Sequence, residues 1–158
     1  MNTGKGLRLF GHPLHAVLSD FPVALLGTSL LWDAVAAWRG EPLWWAISFW
    51  NVALGLATAA LAACAGAVDY AAIPQGDPAL ATGNRHMLLM LCAVTPYVLS
   101  LVLRAGAAAP HGAGLSAVFA LEGAGVLLLS AGGWYGGHLV FHHGVGRDAA
   151  AEERERRD

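Results

Sequence analysis

The chain has 158 residues, of which 56% are hydrophobic and 13% charged, and its mean hydropathy is +0.53. A soluble domain carries about 25% charged residues, so this composition belongs to a membrane protein. The net charge of -2 and the absence of any long basic run argue against a nucleic-acid partner.

Met1 to Gly11 reads as a short polar arm with Lys5 and Arg8. The first apolar segment, residues 13–38, runs on without an Ala-x-Ala exit and is therefore expected to be a spanning helix and not a cleaved signal. At about 1.5 Å per residue it crosses a hydrocarbon layer of about 30 Å. Pro13 suits a first helical turn, and Pro22 is expected to kink the span, leaving a carbonyl for neighbouring helices to satisfy. The short link Arg39-Gly40-Glu41-Pro42 forces the next segment, 43–68, to return antiparallel. Trp32, Trp38, Trp44, Trp45 and Trp50 resemble an aromatic belt at one interface.

Residues 71–85, with Pro74, Gly76, Pro78 and Gly83, read as the longest loop. A third span is expected over 86–103 and a fourth over 115–140, the latter rich in glycine. Glycine at that density lets a neighbouring backbone or a flat ligand come close. The tail from Arg147 to Asp158 alternates acids and arginines and reads as a solvated end. Cys64 and Cys92 lie inside apolar segments and read as small packing residues. No repeat of solenoid period is evident. The expected fold is all-α: one integral-membrane domain, an antiparallel four-helix bundle over residues 12–146.

Four spans place both termini and the second loop on one side, with seven of the nine lysines and arginines; only Arg39 and Arg104 fall on the other. The positive-inside rule makes the termini cytoplasmic. His12 and His15 start the first span, His86 the third, and His138, His142 and His143 end the fourth; Asp69 ends the second. Six of the seven histidines thus fall at one end, with His111 alone opposite. His15 and His138, the deeper members of their pairs, are with His86 the candidate ligands. His142 and His143 read as interfacial surface groups.

Three chemistries fit this layer. The first is a haem b held between two imidazoles drawn from His15, His86 and His138, with Gly136 and Gly137 making room and Arg85 meeting the propionates. The second is a single zinc, copper or iron ion bound by His15, His86, His138 and Asp69, with His12 in reserve. The third is a proton or ion path through the same side chains without a cofactor. A membrane scaffold with interfacial histidines and no chemistry is the plain alternative. Asp20 is placed to accept from an imidazole N–H, and Asp33 and Glu122, at the opposite end, are expected to pair with each other or with Arg104. No activated nucleophile, phosphate loop or dinucleotide fingerprint is present, which argues against hydrolase and nucleotide chemistry.

Gly11-His12-Pro13-Leu14-His15, Asp20-Phe21-Pro22, Asp69-Tyr70, Arg85-His86 and Gly133-Trp134-Tyr135-Gly136-Gly137-His138-Leu139-Val140 through Gly146 together resemble the bacterial DUF2231 family of four-span membrane proteins. The resemblance covers about Gly11 to Gly146 and implies the four-span fold and a bacterial inner-membrane location. Some relatives are fused to a Rieske-type iron–sulfur domain, which implies an electron-transfer setting with a Rieske-type or cytochrome partner; this chain lacks the Cys and His pairs of such a cluster. It departs from the family pattern at Asp20, where relatives often carry histidine. The expected function is a membrane-embedded haem- or metal-binding protein that transfers electrons in the lipid bilayer, with a homo-oligomer compatible with the sequence.

Overall fold

The computed structural model describes residues 6–105 and 109–146. The expected charged tail and Lys5 lie outside the described residues. A two-residue hairpin, β1 (Arg8–Leu9) and β2 (His12–Pro13), precedes the helices α1 (Leu14–Gly27), α2 (Ser29–Arg39), α3 (Pro42–Ala71), α4 (Ala79–Arg104) and α5 (Ala113–Phe141). Counting α1 and α2 as one, four helical segments are long and apolar enough to cross a membrane.

Beside a small hydrophobic core of Leu26, Val52, Ala93, Tyr97 and Leu129, the interior holds polar and charged side chains while large apolar ones face outward. Ser29, Asp33, Ser48, Asn51, Thr82, Ser100, Arg104 and Glu122 are buried, while Leu31, Leu61, Leu88, Leu91, Val102, Leu127 and Trp134 are exposed. Only a solvent as apolar as those side chains makes this arrangement stable, and lipid tails are such a solvent.

Pro22 lies inside α1 without ending it, and the interruption comes at Thr28. The carbonyls at the break are each taken up by a side chain. Thr28 Oγ1 donates to Ala24 O at 2.7 Å, Asn51 Nδ2 to Leu25 O at 2.6 Å, and Ser29 Oγ and Tyr97 Oη to Leu26 O at 2.8 and 3.0 Å. In hydrocarbon an unpaired carbonyl costs several kcal/mol, so these four donors make the break tolerable. Gly40, in the left-handed region at φ 69°, closes α2 with its N–H on Ala36 O, and Pro42 opens α3.

The loop expected over 71–85 is shorter than its composition suggests. Asp77 Oδ1 accepts from Ala79 N at 2.8 Å and starts α4 there, seven residues before the expected start at His86. Gly83, read as a loop signal, is inside the helix. A Cβ at this position would meet the Tyr70 ring at 3.2 Å, so glycine is there for close packing of α3 on α4.

The spans form two antiparallel hairpins, α1–α2 with α3 and α4 with α5, and each is zipped by large side chains set over glycines. On the first, Leu26 covers Gly55 and His15 covers Gly66; on the second, Tyr97 covers Gly125, Met90 covers Gly132 and His86 covers Gly136. The two hairpins share one plan. The separation of 71 residues between Leu26 and Tyr97 recurs between Asp33 and Arg104, and His15 and His86 stand the same number apart. Gly55 and Gly66 have their counterparts in Gly125 and Gly136. Moreover, the equivalent residues touch: Tyr97 bonds Leu26, Arg104 bonds Asp33, and the rings of His15 and His86 face each other. Positions related by a two-fold axis along the bundle behave in this way, as at an isologous interface.

Candidate functional site

At the end of the bundle opposite the chain termini, the axis is occupied by ions. Arg104 Nη1 donates to Asp33 Oδ1 at 2.7 Å and to Ser48 Oγ at 2.6 Å. Its Nη2 reaches Asp33 Oδ2 at 2.6 Å and Glu122 Oε1 at 3.0 Å, and Nε reaches Ser100 Oγ at 3.2 Å. Ser48 also donates to Asp33. The guanidinium is 4% exposed and both carboxylates are fully buried, so the fork must satisfy its charges internally. Asp33 and Glu122 therefore meet Arg104, one of the two pairings expected. This cluster is sealed and structural in form.

At the terminus end the axis is occupied by imidazoles. His15 on α1 is held by Ala62 O of α3 at 2.8 Å through Nδ1, and His86 on α4 by Gly132 O of α5 at 2.8 Å, also through Nδ1. A carbonyl can only accept, so Nδ1 carries the proton on both rings, and in the neutral form of each ring Nε2 is the nitrogen with the lone pair. Each ring lies on the glycine one helical turn beyond the carbonyl that it bonds. A Cβ at Gly66 would meet His15 Cε1 at 2.8 Å, and one at Gly136 would meet His86 Cε1 at 3.1 Å. The ring centroids are 6.4 Å apart with the planes at 77°, and both residues are half-buried.

An Nδ1–H spent on a backbone carbonyl fixes the orientation of the ring and is the bond that metal-ligating histidines commonly make, although it also satisfies a buried histidine that holds no metal. Two imidazoles ligating one metal from opposite sides, at about 2.1 Å each, would place their ring centres about 6.4 Å apart. The observed centroid spacing equals that figure, and with the planes at 77° it is equally that of an edge-to-face ring contact.

The remaining expected ligands lie elsewhere. His138 stacks on His142 at 4.5 Å between centroids and meets His143 edge-on at 5.4 Å. Helical phase explains the separation: at about 100° per residue, His138 points roughly 140° away from the face shared by Gly132 and Gly136, on which His86 rests. Asp69 Oδ1 accepts from Leu7 N at 3.0 Å and so ties down the N-terminal arm. His12 is exposed in β2, paired with Leu9. Asp20 is exposed, and Arg85 lies 6.0 Å from the Tyr135 ring centroid, also exposed. Gly136 is already covered by the His86 ring, and Gly137 meets only Phe141 of its own helix.

Sequence reasoning missed three parts of this arrangement. The carbonyls of Ala62 and Gly132 carry no sequence signal. Gly66, in an alanine-rich run, could have been found from the spacing it shares with Gly136. His142 and His143, read as surface groups, gather with His138 in a cluster whose ligand atoms lie within 4.8 Å of one another.

The fold and site define a four-helix membrane bundle with paired imidazoles on its axis. The chain belongs to the DUF2231 family of predicted membrane proteins, whose pattern matches residues 11–149, from the tip of the hairpin to beyond the end of α5. Neither the curated proteins nor the solved structures contain a match to it.

Proposed function

We propose that this protein holds a redox-active metal centre between His15 and His86 and transfers electrons within the membrane. The observation that carries this reading is the pair of fixed tautomers, with both Nδ1 atoms on carbonyls and the ring centres 6.4 Å apart. Glycine seats also carry Leu26, Tyr97 and Met90, so what sets the two histidines apart is the matched pair of Nδ1–carbonyl bonds. Haem b is the cofactor that would make fullest use of the two imidazoles, with His15 and His86 as the residues that would hold it. A single copper, zinc or iron ion on the same two imidazoles is the second reading. The bias of lysine and arginine supports a cytoplasmic location for the terminus end in a bacterial inner membrane, where a Rieske-type or cytochrome partner would reach it.

The test is a visible spectrum of the detergent-purified protein with and without dithionite, together with elemental analysis. A Soret band that shifts on reduction supports haem, and one equivalent of copper, zinc or iron without that band supports the ion. A colourless, metal-free protein after growth with haem precursor and metals supplied would overturn the proposal in favour of an ion path or a scaffold.

A further inference from the structure

The histidines at the end of α5 form a group of their own. We propose that His138, His142 and His143 are a second metal site, taking a divalent transition ion such as zinc or copper(II) at the membrane surface, distinct from the His15–His86 pair.

Their three ligand atoms lie within 4.8 Å of one another. Nitrogen ligands at about 2.1 Å in a tetrahedral shell stand roughly 3.4 Å apart, so small ring rotations close the remaining gap. Two of the rings have room to make them: His138 and His142 are exposed, stack on each other and meet His143 edge-on. The third is anchored. Thr82 Oγ1 on α4 lies 3.0 Å from His143 Nε2, which leaves Nδ1 of that ring for the metal. A hydroxyl on the far nitrogen is the outer-shell support that ligating histidines ordinarily have.

Local backbone explains why the rings converge. His138 and His142 are four residues apart and share a helix face, but α5 ends at Phe141. The N–H groups of His142 and His143 both turn back to His138 O, at 3.0 and 3.3 Å, and that turn swings His143 round to meet the other two. Were the helix to continue, residue 143 would lie about 140° round from residue 138.

A trio of imidazole nitrogens suits zinc or copper(II) better than magnesium or calcium, which take oxygen ligands. Three protein ligands also leave a coordination position open toward the headgroups, as in zinc sites that bind water or an exchangeable ligand. Because Thr82 belongs to α4, a bound ion would clamp the end of α5 to α4 through His143.

The experiment uses the full chain in detergent, with His15→Ala/His86→Ala as background so that the paired-imidazole site is removed. Copper(II) is titrated and followed by electron paramagnetic resonance, and zinc by competition with a chromophoric chelator. We expect one equivalent of copper with coupling to several nitrogens, at least a tenfold weaker dissociation constant in His138→Ala or His142→Ala, and about tenfold weakening in Thr82→Val. Circular dichroism confirms folding, which the exposed His138 and His142 substitutions should leave intact. Equal affinity in the triple His138→Ala/His142→Ala/His143→Ala variant would overturn the proposal. So would loss of all binding in the His15→Ala/His86→Ala background with the trio intact, a result that would leave the axial site standing and assign the metal to it alone.

Discussion

Replacing Arg104 with methionine removes a cation that contacts two buried carboxylates and two serines. The substitution keeps an unbranched side chain, so the loss is electrostatic more than steric. Breaking one partner out of a buried ion pair costs about 3–5 kcal/mol, because the remaining charge is stranded. The two serine contacts would add about 1 kcal/mol each if left unmade, but Ser48 retains Asp33 as a partner, so roughly 4–6 kcal/mol is expected in total. Much of this loss is the cost of an unpaired Asp33 and not the worth of the pair. The double variant Asp33→Asn/Arg104→Met should therefore recover at least half of it. The assay is reversible unfolding in mixed micelles of dodecyl maltoside and dodecyl sulfate, followed by helical circular dichroism. A single variant within about 1 kcal/mol of the parent, or a double variant whose loss is the sum of its parts, would refute the reasoning.

If the axial pair carries the metal centre, His15→Ala and His86→Ala should each abolish or shift its optical spectrum, whereas His111→Ala at the opposite end should leave it unchanged. Gly66→Ala drives a methyl group into the His15 ring, where a Cβ would stand 2.8 Å from Cε1, while Gly133→Ala meets nothing within 4 Å. The first should therefore lower thermal stability and disturb the spectrum, and the second should be neutral or add up to about 1 kcal/mol through reduced chain entropy. Tyr97→Phe removes one of two donors to Leu26 O, and unfolding in mixed micelles should register a loss of about 1 kcal/mol, with no change in the spectrum. A spectral change in that variant would show that the tyrosine acts on the imidazole layer and not on the helix break alone.

The four-span architecture was legible because apolar length is a strong signal and because the short Arg39–Pro42 link dictates an antiparallel return. The clustering of six histidines at one end followed from the same count of spans. Their division into a pair, a trio and the separate His12 did not, since it depends on rotational phase about α5 and on a turn beginning at His142, a finer matter than which end of a helix a residue occupies. Gly83 was misleading for a physical reason. Rules for loops weigh glycine by its conformational freedom, whereas inside a bilayer its missing side chain is a seat for a neighbour, here Tyr70. The kinship of the two hairpins was hidden because what repeats is a pattern of seats and occupants. The occupants differ, with leucine against tyrosine at one level and aspartate against arginine at another.

That last difference carries a consequence for assembly. A homodimer of the first hairpin would set Asp33 against a second aspartate with no arginine to meet either, in a medium with no water to screen them, whereas the second hairpin carries Glu122 as a partner for its own Arg104. The first half thus rejects its own copy, and the guanidinium finds its second carboxylate only in the tandem neighbour. Opposite charge at one pair of positions makes the tether between hairpins a matter of proximity, while the choice of mate is written in the side chains themselves.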